Sequence, residues 1–155
     1  MDTRINNRLL AAAVEETLET MFFTSTIAPA DDFSEVPDDC IRASIDFVSE
    51  TSGSLELAIP SIVARRITAG LAGEDHENVS LAEAEQGVCE MANVICGLML
   101  SRSDAGLGFT LGPPELLTPS QDEPDARFHR QAVSTTRCRV HSEIGHLFVS
   151  LSLAE

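Results

Sequence analysis

Along the first twenty residues the apolar positions recur at helical intervals. Ile5, Leu9, Ala13, Val14, Thr17 and Met21 fall on one stripe, which predicts a helix over residues 3–22 with Asp2 or Thr3 as its N-cap. The segment "TIAPADDFSEVPDD" breaks that period with proline and aspartate and reads as a solvated loop. The period then changes to two. In "IRASIDFVSE", Ile41, Ala43, Ile45 and Phe47 alternate with Arg42, Ser44 and Asp46, the pattern of a half-buried strand. After the turn residues "TSGS", Leu55, Leu57 and Ile59 alternate again, so the two runs predict a hairpin. Pro60 suits the first turn of a following helix, "PSIVARRITAGLAG", with Gly70 or Gly73 as its stop.

The longest helical reading runs from Ser80 to about Ser103, and Ser80 with Glu83 has the form of a capping box. "GLGFTLGPPELLTP" follows as a short strand interrupted by a double proline, and "SQDEPDA" as a polar loop. Two further runs, "RFHRQAVSTTRCRVHSE" and "HLFVSLSLAE", predict a closing pair of strands around a turn near Ile144 and Gly145; Leu147, Val149, Leu151 and Leu153 share one face. Helices and hairpins are segregated, without regular strand–helix–strand alternation. The expected fold class is therefore α+β, an antiparallel sheet packed against long helices. Helix followed by hairpin occurs twice, a faint internal symmetry. At 155 residues the chain has the size of one domain, 1–155.

Charge narrows the function classes. The net charge is -15, from 25 acids against 10 Lys plus Arg. Such a surface repels phosphate backbones and anionic lipid, so neither nucleic acid nor membrane is an expected partner. No apolar run reaches the roughly 18 residues of a bilayer span, and the N-terminus has no signal-peptide pattern, so the expected location is the cytoplasm. Cys40, Cys89, Cys96 and Cys138 match no zinc or disulfide spacing and read as small buried hydrophobes. His141 and His146 flank the last turn, but without a third ligand they do not make a metal site. There is no P-loop, H-E-x-x-H or G-x-S-x-G motif.

The candidate chemistry lies in the long helix, within "CEMANVICG". At about 100° per residue, Ala84, Met91, Ala92, Ile95 and Met99 lie within about 60° of Val88, which defines the core side. Gln86, Glu90, Asn93 and Gly97 form a narrow stripe opposite. Asn and Gly are poor helix formers, and Gly costs about 1 kcal/mol relative to Ala in a helix interior. Close approach by another backbone is the usual compensation. Two plainer readings stand beside it: that Asn93 and Gly97 are merely tolerated, and that Gly97 accommodates a neighbouring helix of the same chain.

"EMANVICG" resembles the E-x-x-N-x-x-x-G signature of the CheX and CheC family of chemotaxis phosphatases. The opening helix ending in "LETMFFTST", the order of elements and the length are also similar to that family. The resemblance implies a phosphatase acting on the aspartyl phosphate of a CheY-like receiver domain. In it, Asn93 positions the attacking water and Glu90 pairs with the receiver's active-site Lys. Gln86, Gly97 and Pro114 are the implied partner-binding positions. No cofactor is implied on this chain; Mg²⁺ is expected on the phosphorylated partner. Gln86 departs from the family's Asp or Ser, Leu100 stands where many members have Lys, and Pro114 comes at slightly short spacing. CheC-type proteins carry a second E-x-x-N on the first helix; here Glu15 is followed by Leu18, which implies one site per chain and the CheX type. That type implies a homodimer joined edge to edge, with the alternating C-terminal strand as the candidate edge. The rival readings are a non-catalytic adaptor of the same fold and a structural dimer whose polar stripe faces solvent.

Overall fold

The structure, a computed structural model, describes residues 5–49, 52–103, 108–117 and 132–154. Helix α1 (Asn7–Met21) starts later than its sequence pattern predicts. Its cap is Asn6, in extended backbone, whose side chain accepts the Leu9 N–H at 2.9 Å; the expected caps Asp2 and Thr3 lie outside the described residues. The buried stripe is Leu10, Ala13, Val14, Thr17 and Leu18. Ile5 and Leu9 pack at its margin, and Met21 is exposed, so the helix meets the sheet rotated from the expected stripe.

The expected loop after α1 contains a strand, β1 (Thr26–Asp31). The hairpin strands are β2 (Cys40–Val48) and β3 (Ser52–Pro60), paired in continuous antiparallel register. Pro60 ends β3 and caps α2 (Ser61–Ala72) rather than occupying its first turn. Of the two expected stops, Gly73 closes α2, at a left-handed φ of 70°, while Gly70 lies inside the helix. A 3₁₀ turn at His76–Asn78 leads into α3 (Leu81–Ser101). The double proline splits the next segment into β4 (Thr110–Leu111) and β5 (Glu115–Leu117), both paired to β2. Strands β6 (Ala132–Ser142) and β7 (Gly145–Ala154) close the chain as a hairpin. The polar loop expected at "SQDEPDA", and the start of the strand expected from Arg127, lie outside the described residues.

The described strands form one antiparallel sheet of order β1-β6-β7-β3-β2-β4, with β5 also on β2. The helices pack on one face. There Ile41, Ala43, Ile45 and Phe47 of β2, Leu55, Leu57 and Ile59 of β3, and Leu147, Val149 and Leu151 of β7 join the helix stripes in one core. Each such aliphatic or aromatic side chain contributes about 1.5–3 kcal/mol on full burial. Arg42, Glu56, Ser150 and Arg137 occupy the opposite face. Phe148, also on that face, is covered by the ring of Phe33 at 5.3 Å between centroids.

The faint symmetry of the sequence is a property of the sheet. A two-fold rotation about the central β3–β7 pair carries β2 onto β6, β3 onto β7, and β1 onto β4 plus β5, and the strand order is unchanged by it. Both outer strands are broken: β1 has two register shifts around Ala28, and β4 and β5 are separated by Gly112–Pro114. Helices α1 and α3 take matching places in this strand order, α1 against β6 and α3 against β2. Their burial patterns coincide when Leu10, Ala13, Val14, Thr17 and Leu18 are laid on Val88, Met91, Ala92, Ile95 and Cys96, and equally one turn on, on Ala92, Ile95, Cys96, Met99 and Leu100. Helix α2 has no counterpart among the described residues. The topology also places β7 inside the sheet, so the C-terminal strand is not an edge. Among the described strands the outermost are β1 on one side and β4 with β5 on the other.

Candidate functional site on helix α3

Helix α3 is held in phase from its first residue. Ser80 accepts the Glu83 N–H at 3.1 Å, and the Glu83 carboxylate accepts the Ser80 N–H at 3.3 Å, closing the expected capping box. The expected core positions Ala84, Val88, Met91, Ala92, Ile95 and Met99 are all buried, joined by Cys96 and Leu100. With that face against the sheet, helical geometry turns the opposite stripe outward. Gln86, Glu90 and Asn93 are exposed and Gly97 is half-buried.

The Gln86 amide donates to a Glu90 carboxylate oxygen at 3.4 Å, a long contact that leans the carboxylate along the helix. Glu90 and Asn93 are three residues apart, so their Cβ atoms are neighbours at about 5–6 Å. The Asn93 amide has no hydrogen-bonding partner among the described residues, so its donor and acceptor both face solvent. An outward carboxylate and a free amide on adjacent turns can grip a cation and orient a water on a second molecule.

Two walls flank the stripe. On one side, Leu111 of β4 lies beside Gly97: a methyl group added there would meet Leu111 Cδ1 at 3.7 Å, an ordinary contact. Among the described residues no helix needs the missing side chain, and their packing does not account for this glycine. Pro114 is half-buried in the link between β4 and β5, on the outer edge beyond β2. It is not part of the helix stripe, although β5 touches α3. On the other side, α2 and the end of α1 enclose a cavity of about 200 Å³ lined by Phe22, Thr68, Leu71, Glu83, Gln86, Gly87 and Glu90. The wall formed by Phe22, Thr68 and Leu71 was not legible in the sequence. Its one local signal is Gly87, a glycine in mid-helix, where a methyl group would come within 2.5 Å of Thr68 Oγ1. Close packing of α2 on α3 requires that glycine.

The two-fold relation tests whether α1 carries a second site. Burial allows two registers, laying either Ala12 and Glu15 or Arg8 and Ala11 on Glu90 and Asn93, and neither restores the carboxylate–amide pair. A cleft of about 570 Å³ is present there, lined among others by Asn7, Arg8, Glu15, Asp31 and Arg137, but its α1 amide and carboxylate, Asn7 and Glu15, lack the one-turn spacing of Glu90 and Asn93.

The remaining reactive groups lie away from α3. Cys96 and Cys138 are buried as expected, whereas Cys40 and Cys89 are only half-buried. Burial pushes the thiols of Cys40, Cys96 and Cys138 up to about 12. Burial also raises Cys89, with help from Glu85 and Glu90. His141 and His146 do meet, their rings 4.7 Å apart. His141 Nε2 is 3.0 Å from Asp31, which Arg139 grips through two bonds of 2.9 and 2.8 Å. The Arg139 guanidinium holds the Asp31 carboxyl well below the usual carboxylate range. Among the described residues, no three histidine, cysteine or acidic side chains are grouped as metal ligands. None of the described helices is long and apolar enough to cross a membrane.

The fold is that of solved CheC- and CheX-like proteins. A CheC-like superfamily protein from Shewanella sp. PV-4 superposes with a TM-score of 0.71 at 16% identity, covering 96% of each chain. CheX of Vibrio vulnificus superposes with a TM-score of 0.71 at 17% identity over 94% of each chain. CheX of Borrelia burgdorferi, solved as a CheX–CheY–BeF3–Mg²⁺ complex, gives 0.73 at 15% identity, covering 98% of this chain and 100% of that one. No curated protein sequence matches significantly. The model of the family described as chemotaxis phosphatase CheX matches residues 41–135, and this chain belongs to that family.

Proposed function

We propose that this chain hydrolyses the aspartyl phosphate of a CheY-like receiver domain. The observation that carries the reading is the outward pair Glu90 and Asn93, set on adjacent turns of a helix whose other face is locked in the core. The complex of the Borrelia relative with CheY supports the choice of partner. The acyl phosphate is already a reactive bond, and the Mg²⁺ and Lys expected on the receiver neutralise the phosphoryl oxygens. What a second protein adds is a water held in line with phosphorus. Asn93 accepts a hydrogen bond from that water or donates one to it, fixing its direction without acting as a strong base. The water oxygen bonds to phosphorus as the bond to the aspartyl oxygen breaks. The receiver's carboxylate is regenerated, and the water's protons leave with inorganic phosphate or pass to solvent. Glu90 pairs with the receiver's Lys and sets the helix in register over the phosphorylated aspartate, an ion pair strengthened by exclusion of water from the interface.

Partner contact extends along the stripe through Gln86 and Gly97 and reaches the β4–β5 link at Pro114. The reaction belongs in the cytoplasm, with its receivers. A homodimer joined edge to edge would use β1 or the β4/β5 edge, because β7 is interior. The adaptor reading rests on Gln86 and Leu100, which depart from the family pattern, although Leu100 is buried and cannot itself contact a partner.

The test is phosphate release from an acetyl-phosphate-treated receiver, with and without this protein. Asn93→Ala is expected to lower the stimulated rate at least a hundredfold, about 2.7 kcal/mol of barrier, with receiver affinity changed only a few-fold. Glu90→Gln is expected to weaken binding as well as rate. A wild-type protein that binds the phosphorylated receiver without hastening its decay would be an adaptor.

A further inference from the structure

Where α1 ends, the chain reverses through Phe23, at a φ of 52°. The reversal is held by the Thr24 N–H, which donates to the Leu18 carbonyl at 2.9 Å, with the Phe22 N–H on the same oxygen at 3.3 Å. This is the left-handed position that closes helices, and glycine or asparagine normally occupies it. Phe23 is the one non-glycine residue with positive φ among the described residues. Its side chain is 77% exposed, more than any other large apolar side chain described. Two unfavourable choices therefore coincide: a bulky residue in strained backbone, and an aromatic ring in water with no ring partner. Nothing inside the described chain offsets either.

The location of Phe23 gives the ring a use. Its neighbour Phe22 lines the cavity shared with Gln86 and Glu90, so the turn stands at the margin of the α3 stripe. Leu71, in the wall of that cavity, is 48% exposed, and Met21 is 41% exposed. Helix α2 supplies Leu71, so this apolar border lies beside α3. Glu83 and Glu90 give its rim negative charge.

Building on the receiver reading above, we propose that Phe23, with Leu71 in the wall of the cavity that its neighbour Phe22 lines, is the apolar anchor on which the receiver docks. The occupant is a receiver surface that offers an apolar side chain beside basic groups, matching a greasy border with an acidic rim. Rigid aromatic side chains are the usual energetic centres of such interfaces. Glu90 and Asn93 would act on any receiver that reaches them; the anchor selects which receiver does so.

Phe23→Gly tests this cleanly, because glycine relaxes the left-handed backbone and the variant should melt at or above the wild-type temperature. Its Kd for the beryllofluoride-loaded, Mg²⁺-bound receiver is expected to rise at least tenfold, equivalent to about 1.4 kcal/mol. The KM of stimulated phosphate release should rise in parallel, with kcat at saturating receiver unchanged. Leu71→Ala should raise Kd several-fold in the same direction. A Phe23→Gly Kd within twofold of wild type overturns the proposal. So does a change confined to the protein's own association in sedimentation, which would make the patch a contact between copies. Asn93→Ala run in parallel separates the two readings. A wild-type chain that binds the loaded receiver without hastening hydrolysis ends the hydrolytic reading and leaves the anchor to be judged by Kd. A chain that binds no receiver ends both.

Discussion

An alanine at position 97 adds one methyl group to the outward stripe of α3, a turn beyond Asn93. Among the described residues the methyl is accommodated: it would meet Leu111 Cδ1 at 3.7 Å, and no other atom outside the helix's own backbone and the adjoining residues comes within 4 Å. The hydrogen bond from Ser101 to the Gly97 carbonyl, 2.7 Å, needs no side chain at 97 and is retained. The substitution therefore gains about 1 kcal/mol of helix propensity without a steric penalty. In a domain of this size that raises the melting temperature by about 2–4 °C. Against the proposed partner the sign reverses. A methyl forced into a close backbone contact costs about 1–3 kcal/mol, equivalent to a loss of about 5- to 160-fold in kcat/KM for receiver dephosphorylation. Thermal unfolding and phosphate release on the same preparation read both numbers. Higher melting with unchanged kcat/KM would show that Gly97 is only a tolerated glycine and that no partner lies against it. Lower melting would show that the space beside Leu111 has been misjudged.

Gly87 should behave in the opposite way. Gly87→Ala drives a methyl into Thr68 Oγ1 and is expected to destabilise the fold by about 1–2 kcal/mol in urea titrations, whereas Gly87→Ala with Thr68→Ala should recover most of that loss. The cleft on α1 is predicted to be silent in catalysis: Glu15→Ala, in the lining of that cleft, should leave stimulated phosphate release unchanged. Asp31 is held ionised by Arg139, so its contribution is fully present above the unfolded carboxyl value of about 3.9 and fades as the pH falls towards its lower folded value. The gap in urea midpoint between wild type and Asp31→Asn should be open at pH 7 and narrow progressively below pH 4. Cys96 and Cys138, buried and with thiols pushed up to about 12, should react with a thiol reagent at pH 8 only as the protein unfolds.

Local rules carried much of the α3 site. Ser80 and Glu83 set the phase of the helix, and the period of Val88, Met91, Ala92 and Ile95 then determined that Glu90 and Asn93 face outward. The hairpin of β2 and β3 was equally legible, because one side of each strand is buried and one is not. Strand β1 was illegible for the converse reason. It is paired along one side, has mostly exposed side chains and carries Pro29, so it leaves no alternation. Its place depends on β6, more than a hundred residues away, and on the Asp31–Arg139 grip. The rotation of α1 escaped for a similar reason: Leu9 and Leu10 are equally apolar, and only the sheet beneath chose Leu10.

The sequence by itself therefore determined the class of fold, the outward carboxylate and amide on one helix, and the family resemblance, because each rests on contacts between residues a few positions apart. Only the tertiary structure decided that β7 lies inside the sheet, that the two halves are related by a two-fold, and that α2 and the end of α1 wall one side of the site. Those features come from pairing and packing between distant segments. Such contacts are specified by the whole chain folding together and leave no periodic signal in any single stretch of it.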